Sequence, residues 1–129
     1  MSHVVAVCAA LFCQASHAAS SDAKLSPTYS ACMKKALSTM DLMACIQEEF
    51  SIQDRRLNDN YKKLMAMLDD NRKKQLQETQ RLWIKYTEAN CNFYHNPNGG
   101  SAHRVMAGDC TVQERGRRAT ELEELAKME

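Results

Sequence analysis

The sequence predicts an all-α fold, a small antiparallel helical bundle with a long helical hairpin as its spine, held by two disulfides. Three observations predict it. Apolar residues recur at steps of three and four through most of residues 38–94, and neither Pro nor Gly interrupts that stretch. No segment alternates with period two over a useful length, so strands are not expected. Four of the six cysteines lie beyond the N-terminal apolar segment, and four cysteines in a small exported domain read as two bridges.

The N-terminus supplies the word exported. Residues 4–13 (VVAVCAALFC) form an apolar run of signal-peptide length, too short to span a bilayer as a helix. Ser16-His17-Ala18 then places small residues at the cleavage positions. We therefore expect a signal peptide over residues 1–18, a single domain over 19–129 with a flexible leader at 19–26, and a periplasmic or secreted product. Cleavage removes Cys8 and Cys13. Neither follows the small residue that a lipoprotein signal needs, so no lipid anchor or other stable membrane insertion is expected.

The elements follow in order. Pro27 at a first helical position, with Ser26 as N-cap, starts a short helix through Cys32. Ser38-Thr39 gives a second capping signal, and Asp41 suits the first turn of a helix. From there the stripe Leu42, Ile46, Phe50, Leu57, Tyr61, Leu64, Leu68 predicts one helix over about 39–69, ended by Asp69-Asp70-Asn71. A rod of roughly 45 Å needs a partner to cover its stripe. The expected partner is the next segment, 71–94, whose stripe includes Leu76, Gln80, Trp83, Cys91 and Tyr94. A Pro/Gly-containing loop at 95–104 follows, then a last helix over about 108–127 with Leu122, Leu125 and Met128 on one face. Gly116 should weaken that helix by about 1 kcal/mol relative to Ala.

Four cysteines allow three pairings. Short separations favour Cys32–Cys45 and Cys91–Cys110, each worth about 3 kcal/mol by loop-closure entropy.

Chemistry is sparse. The net charge of +1, with signs alternating along the chain, gives no case for nucleic acid or anionic membrane as partner. No P-loop, dinucleotide fingerprint or hydrolase nucleophile motif is present, so an enzyme is not expected. His95 and His103 lie near Cys91, Cys110 and Asp109, yet their spacing fits no common zinc motif and oxidised cysteines do not ligate. Met33, Met40, Met43, Met65, Met67 and Met106 read as packing rather than Cu(I) ligands. No metal or cofactor is expected. Asp54, Asn58 and Tyr61 share a face with Leu57, which suggests a bonded polar layer that sets helix register, with Gln80 as the candidate partner of Asn58, in preference to the alternative of a ligand site.

The order of motifs is the informative feature: Cys32, DLMAC (41–45), DRRLNDNY (54–61), QRLWIKYTEANC (80–91), GGS (99–101), Cys110 and RATEL (118–122). It resembles the LprI-like lysozyme-inhibitor family of small exported bacterial proteins, over about Cys32 to Leu125. The resemblance implies a disulfide-stabilised helical domain of the bacterial envelope, and some relatives inhibit lysozyme. Cys32, Cys45, Cys91 and Cys110 take the family's cysteine places. Asp54, Leu57, Asn58, Tyr61, Gln80, Trp83 and Cys91 take its helix-pair motif, and Gly99, Gly100 and Ser101 its loop motif. Thr87 departs from the pattern, standing where an Arg is common; Arg115 and Gly116 replace a more apolar turn.

The expected function is binding and inhibition of a lysozyme-type muramidase. Such an enzyme cuts with two carboxylates in a cleft. An inhibitor has only to fill that cleft and offer donors, and the loop with Gly99, Gly100, Ser101, His103 and Arg104 is the candidate contact. The alternatives are an envelope interaction or immunity protein with another cell-wall hydrolase as partner and, less supported, a periplasmic metal handler.

Overall fold

Side-chain caps mark where the helices of this chain begin. In the computed structural model, which describes residues 21–129, the order is α1 Pro27–Lys35, α2 Thr39–Met67, α3 Asp70–Tyr94 and α4 Ser101–Met128. The expected signal peptide lies outside the described residues. At α1, Ser26 Oγ accepts from the Tyr29 amide, with Pro27 in the first turn. At α2, Ser38 Oγ accepts from the Asp41 amide at 3.1 Å while the Asp41 carboxylate accepts from the Ser38 amide, also at 3.1 Å. This reciprocal box satisfies donors that a helix start leaves open. Asp69 ends the two-helix turn by capping α3 through the Arg72 amide at 2.9 Å.

Two boundaries differ from the expectation. α1 continues past Cys32 to Lys35, and α4 begins at Ser101 rather than near 108. The stretch 101–108 looked like loop because it follows two glycines, contains Gly108 and carries few large apolar residues. In the fold Gly108 is interface. A Cβ on Gly108 would lie 3.1 Å from the Ile46 side chain, so α4 passes close to α2 there.

The partner of α2 also differs. Its stripe is covered mainly by α4; α3 adds Leu76 and Trp83 to the same core, but α2 and α3 meet far less closely than either meets α4. Contacts of Ile46 with Gly108, Asp54 with Arg115 and Asn60 with Ala119 rise together in number, so α2 and α4 run parallel. α3 runs antiparallel to α4, as Cys91–Cys110 and Gln80–Arg118 require. The hairpin arms are thus bridged by α4 in an up–down–up arrangement. One core cluster holds Leu57, Leu64, Leu68, Leu76, Ala119 and Leu122; a second holds Tyr29, Cys45, Ile46 and Val112 under α1. Burying one such leucine contributes about 2 kcal/mol.

The end of the leader is docked rather than free. The buried Glu49 carboxylate accepts from the Ser26 amide at 2.8 Å and from Gln53 Nε2 at 2.7 Å. Arg56 Nη1 donates to the Ala23 carbonyl at 3.0 Å and to Gln53 Oε1 at 2.9 Å, and its Nη2 donates to Thr120 Oγ1. Gly116 makes this crossing possible. A Cβ there would lie 2.4 Å from the Ala23 carbonyl oxygen.

Both cysteine pairs are bonded, Cys32 to Cys45 and Cys91 to Cys110, with Cα separations of 5.8 and 5.5 Å. The first ties α1 to the start of α2. The second ties the last turn of α3 to α4.

Candidate functional site

The Cys91–Cys110 bridge holds a tip made of the end of α3, the turn 95–100 and the first turns of α4. The turn is built from its asparagines. Asn96 accepts the Gly99 amide on its carbonyl at 2.9 Å and the Asn98 amide on its side chain at 2.9 Å. Gly100 then takes φ +75, a left-handed value suited to glycine, and becomes the N-cap of α4. It has no side chain with which to close the first turn, so the leading amides of α4 carry no side-chain cap.

The five candidate residues of the tip do different things. Gly99, Gly100 and the turn around them are loop. Ser101, His103 and Arg104 stand on α4, so the expected 95–104 loop is shorter than the sequence suggested. Ser101 and Arg104 are exposed. His103 instead braces the turn. Its Nδ1 lies 3.2 Å from the Tyr94 carbonyl oxygen, and its ring occupies the space a Gly99 side chain would need, 2.1 Å from the ideal Cβ. Beside them Phe93 is 84% exposed, with Tyr94 edge-on at 6.4 Å between ring centroids. Large aromatics left in water at a rigid tip are common anchors of protein interfaces. Below the tip, α3 and α4 frame a groove of about 690 Å³ with Lys85, Glu88 and Arg104 among its lining residues. Its wall includes Thr87, only 3% exposed, whose Oγ1 has no hydrogen-bond partner among the described residues.

The residues singled out on the long helices come together elsewhere. Asp54, Leu57, Asn58, Tyr61, Gln80 and Trp83 all line one cleft of about 460 Å³ between α2 and α3. The expected Asn58–Gln80 bond is not made. Asn58 is exposed and donates from Nδ2 to Asp54 Oδ2 at 3.3 Å, while Gln80 Oε1 accepts from Arg118 Nε of α4 at 2.9 Å. Asp54 Oδ1 faces Arg115 Nε at 3.2 Å, and the Arg115 guanidinium stacks 4.4 Å over the Phe50 ring.

The polar layer that sets register is made by other residues: Glu49, Gln53, Arg56 and Asn60, the last donating to the Ala119 carbonyl at 2.9 Å. Their steps of four, three and four place them on one face of α2. That spacing was the available signal. Apolar periodicity does not register it, and the polar face picked out by Asp54 and Asn58 is the neighbouring one. Among the described residues, no three His, Cys, Asp or Glu groups converge as a metal site would need, and no helix is long and apolar enough to cross a membrane.

The fold and its staples define the class first: a small all-helical domain closed by two disulfides. The chain belongs to the LprI family, whose model, described as lysozyme inhibitor LprI, matches residues 32–122. It is also similar to an uncharacterized protein of Rhizobium meliloti (strain 1021), 27% identical over 106 residues, covering 71% of this chain and 76% of the relative. No solved structure matches the chain.

Proposed function

We propose that this chain is an exported envelope protein that binds and inhibits a lysozyme-type peptidoglycan muramidase, acting as a binding protein and not as an enzyme. The observation that carries the reading is membership of the lysozyme-inhibitor family over residues 32–122, with all four matched cysteines paired. The tip supports the choice of contact surface. A muramidase cleft holds two carboxylates, and the tip offers the uncapped amides of α4, Ser101 Oγ and the Arg104 guanidinium, a cation that no described acidic side chain pairs. A helix start favours an anion through its free amides and its dipole. Phe93 supplies apolar area next to those donors, and the disulfide holds the whole in one geometry before binding, which reduces the ordering cost of association. In this reading residues 1–18 direct export and residues 19–129 form the single mature domain.

The experiment is a lysozyme turnover assay on the mature, oxidised protein with several lysozyme types. Saturable loss of turnover is expected with at least one of them. Full turnover with all, alongside capture of a different cell-wall hydrolase, would transfer the reading to an interaction or immunity protein.

A further inference from the structure

We propose that the α2–α3 cleft is a second binding site, one for a neutral, acetamido-bearing oligosaccharide of the kind that peptidoglycan glycan strands present. The cleft collects the residues of the helix-pair motif other than Cys91, and packing explains only part of them. Leu57 and Gln80 are buried, but Asn58 is exposed and Asp54, Tyr61 and Trp83 are half-buried at its walls. Tyr61 and Trp83 come from opposite helices and give the cleft two aromatic residues. Aromatic faces carry partial negative charge and receive the C–H faces of pyranose rings.

The polar groups fit the same ligand. Asp54 and Asn58 are planar groups that can reach vicinal hydroxyls in pairs, held together by their own 3.3 Å bond. Gln80 is 8% exposed, its Oε1 is occupied by Arg118, and its Nε2 has no protein partner among the described residues. That Nε2 is a free donor at the cleft wall, and an acetamido carbonyl is a matching acceptor. Charge argues against an ionic ligand. Asp54 is matched by Arg115 at 3.2 Å, and Arg81 at the rim by Glu78. The cleft therefore presents dipoles and rings, not net charge. A volume of about 460 Å³ lies inside the usual range of roughly 300–1,000 Å³ for small-ligand sites. The cleft adjoins the tip groove at Ile84 and Arg115, so a bound glycan would sit beside the proposed muramidase contact without occupying it.

Trp83 is the one tryptophan of the chain, and it lies in the cleft. Its emission is followed while chitotetraose is added, with cellotetraose as the oligomer lacking acetamido groups and calorimetry in parallel. The expected result is saturable binding of chitotetraose, weaker binding of cellotetraose, and an affinity lowered about fivefold by Asn58→Ala, whose exposed side chain leaves the thermal midpoint in place. No binding of chitotetraose up to about 10 mM by either readout, equal binding of the two oligomers, or unchanged affinity in Asn58→Ala would overturn the proposal. Lysozyme inhibition does not enter the readout, so the two readings fail separately.

Discussion

Tyr29 shows what one side chain contributes to this small domain. Its phenol is buried under α1 and donates to Asp109 Oδ1 at 2.6 Å, tying α1 to α4. Burial, then the bond to Asp109 and the charges of Asp109 and Glu49, push its pKa well above the ordinary tyrosine value. The folded state thus holds the proton more tightly than the unfolded chain. The stabilisation is complete below a pH of about 10 and is lost as pH rises above it. Tyr29→Phe should cost about 1–2 kcal/mol at neutral pH and flatten the alkaline fall of stability, measured by urea unfolding across pH. Gly116 makes the opposite point about helix propensity. Ala there improves propensity by about 1 kcal/mol, yet its Cβ would enter the Ala23 carbonyl. The crossing should win, and Gly116→Ala should destabilise the fold by about 1–3 kcal/mol, with faster amide exchange at residues 23–26.

At the scale of elements, what could be read in advance depended on where the signal was local. Ser26, Pro27, Ser38 and Asp41 act through neighbours a turn away, and the helix starts they mark are where the sequence places them. The nearest-neighbour cysteine pairs are of the same kind. The register of α4 was not local. That helix meets Ile46 through Gly108, and a glycine contact leaves no apolar stripe to detect. Periodicity likewise says that a face of α2 is covered, not which helix covers it. Chain order favours the adjacent segment, whereas α4 supplies most of the cover and a cleft is left between the hairpin arms. The motif residues were therefore visible by resemblance, while their convergence on one cleft was not.

Two measurements belong to this scale. Ser38→Ala should cost about 1 kcal/mol by opening the α2 cap. Asp41, held below the usual carboxylate range by its bond with Ser38 and then by the Leu37 amide, supports the cap above a pH of about 4 and loses that role as pH falls further. Replacing Cys91 and Cys110 together by Ser should cost about 3 kcal/mol and abolish inhibition even where the protein remains folded by circular dichroism. The matching change at Cys32 and Cys45 should cost similar stability and weaken inhibition far less, because that bridge joins α1 to α2 and does not clamp the turn 95–100.

For the whole molecule, the account rests on a division of labour. Polar residues along α2 and small residues along α4 set the helices in register, and the bridge at Cys91–Cys110 fixes the exposed tip. The central claim is that this tip, and not the cleft, meets the muramidase. It is tested most directly by the inhibition constant of the oxidised protein, compared with the double change Ser101→Ala, Arg104→Ala and with Asn58→Ala. The account predicts inhibition weakened about tenfold or more by the tip change and unchanged by Asn58→Ala. Equal constants for the tip variant and the native chain would contradict it.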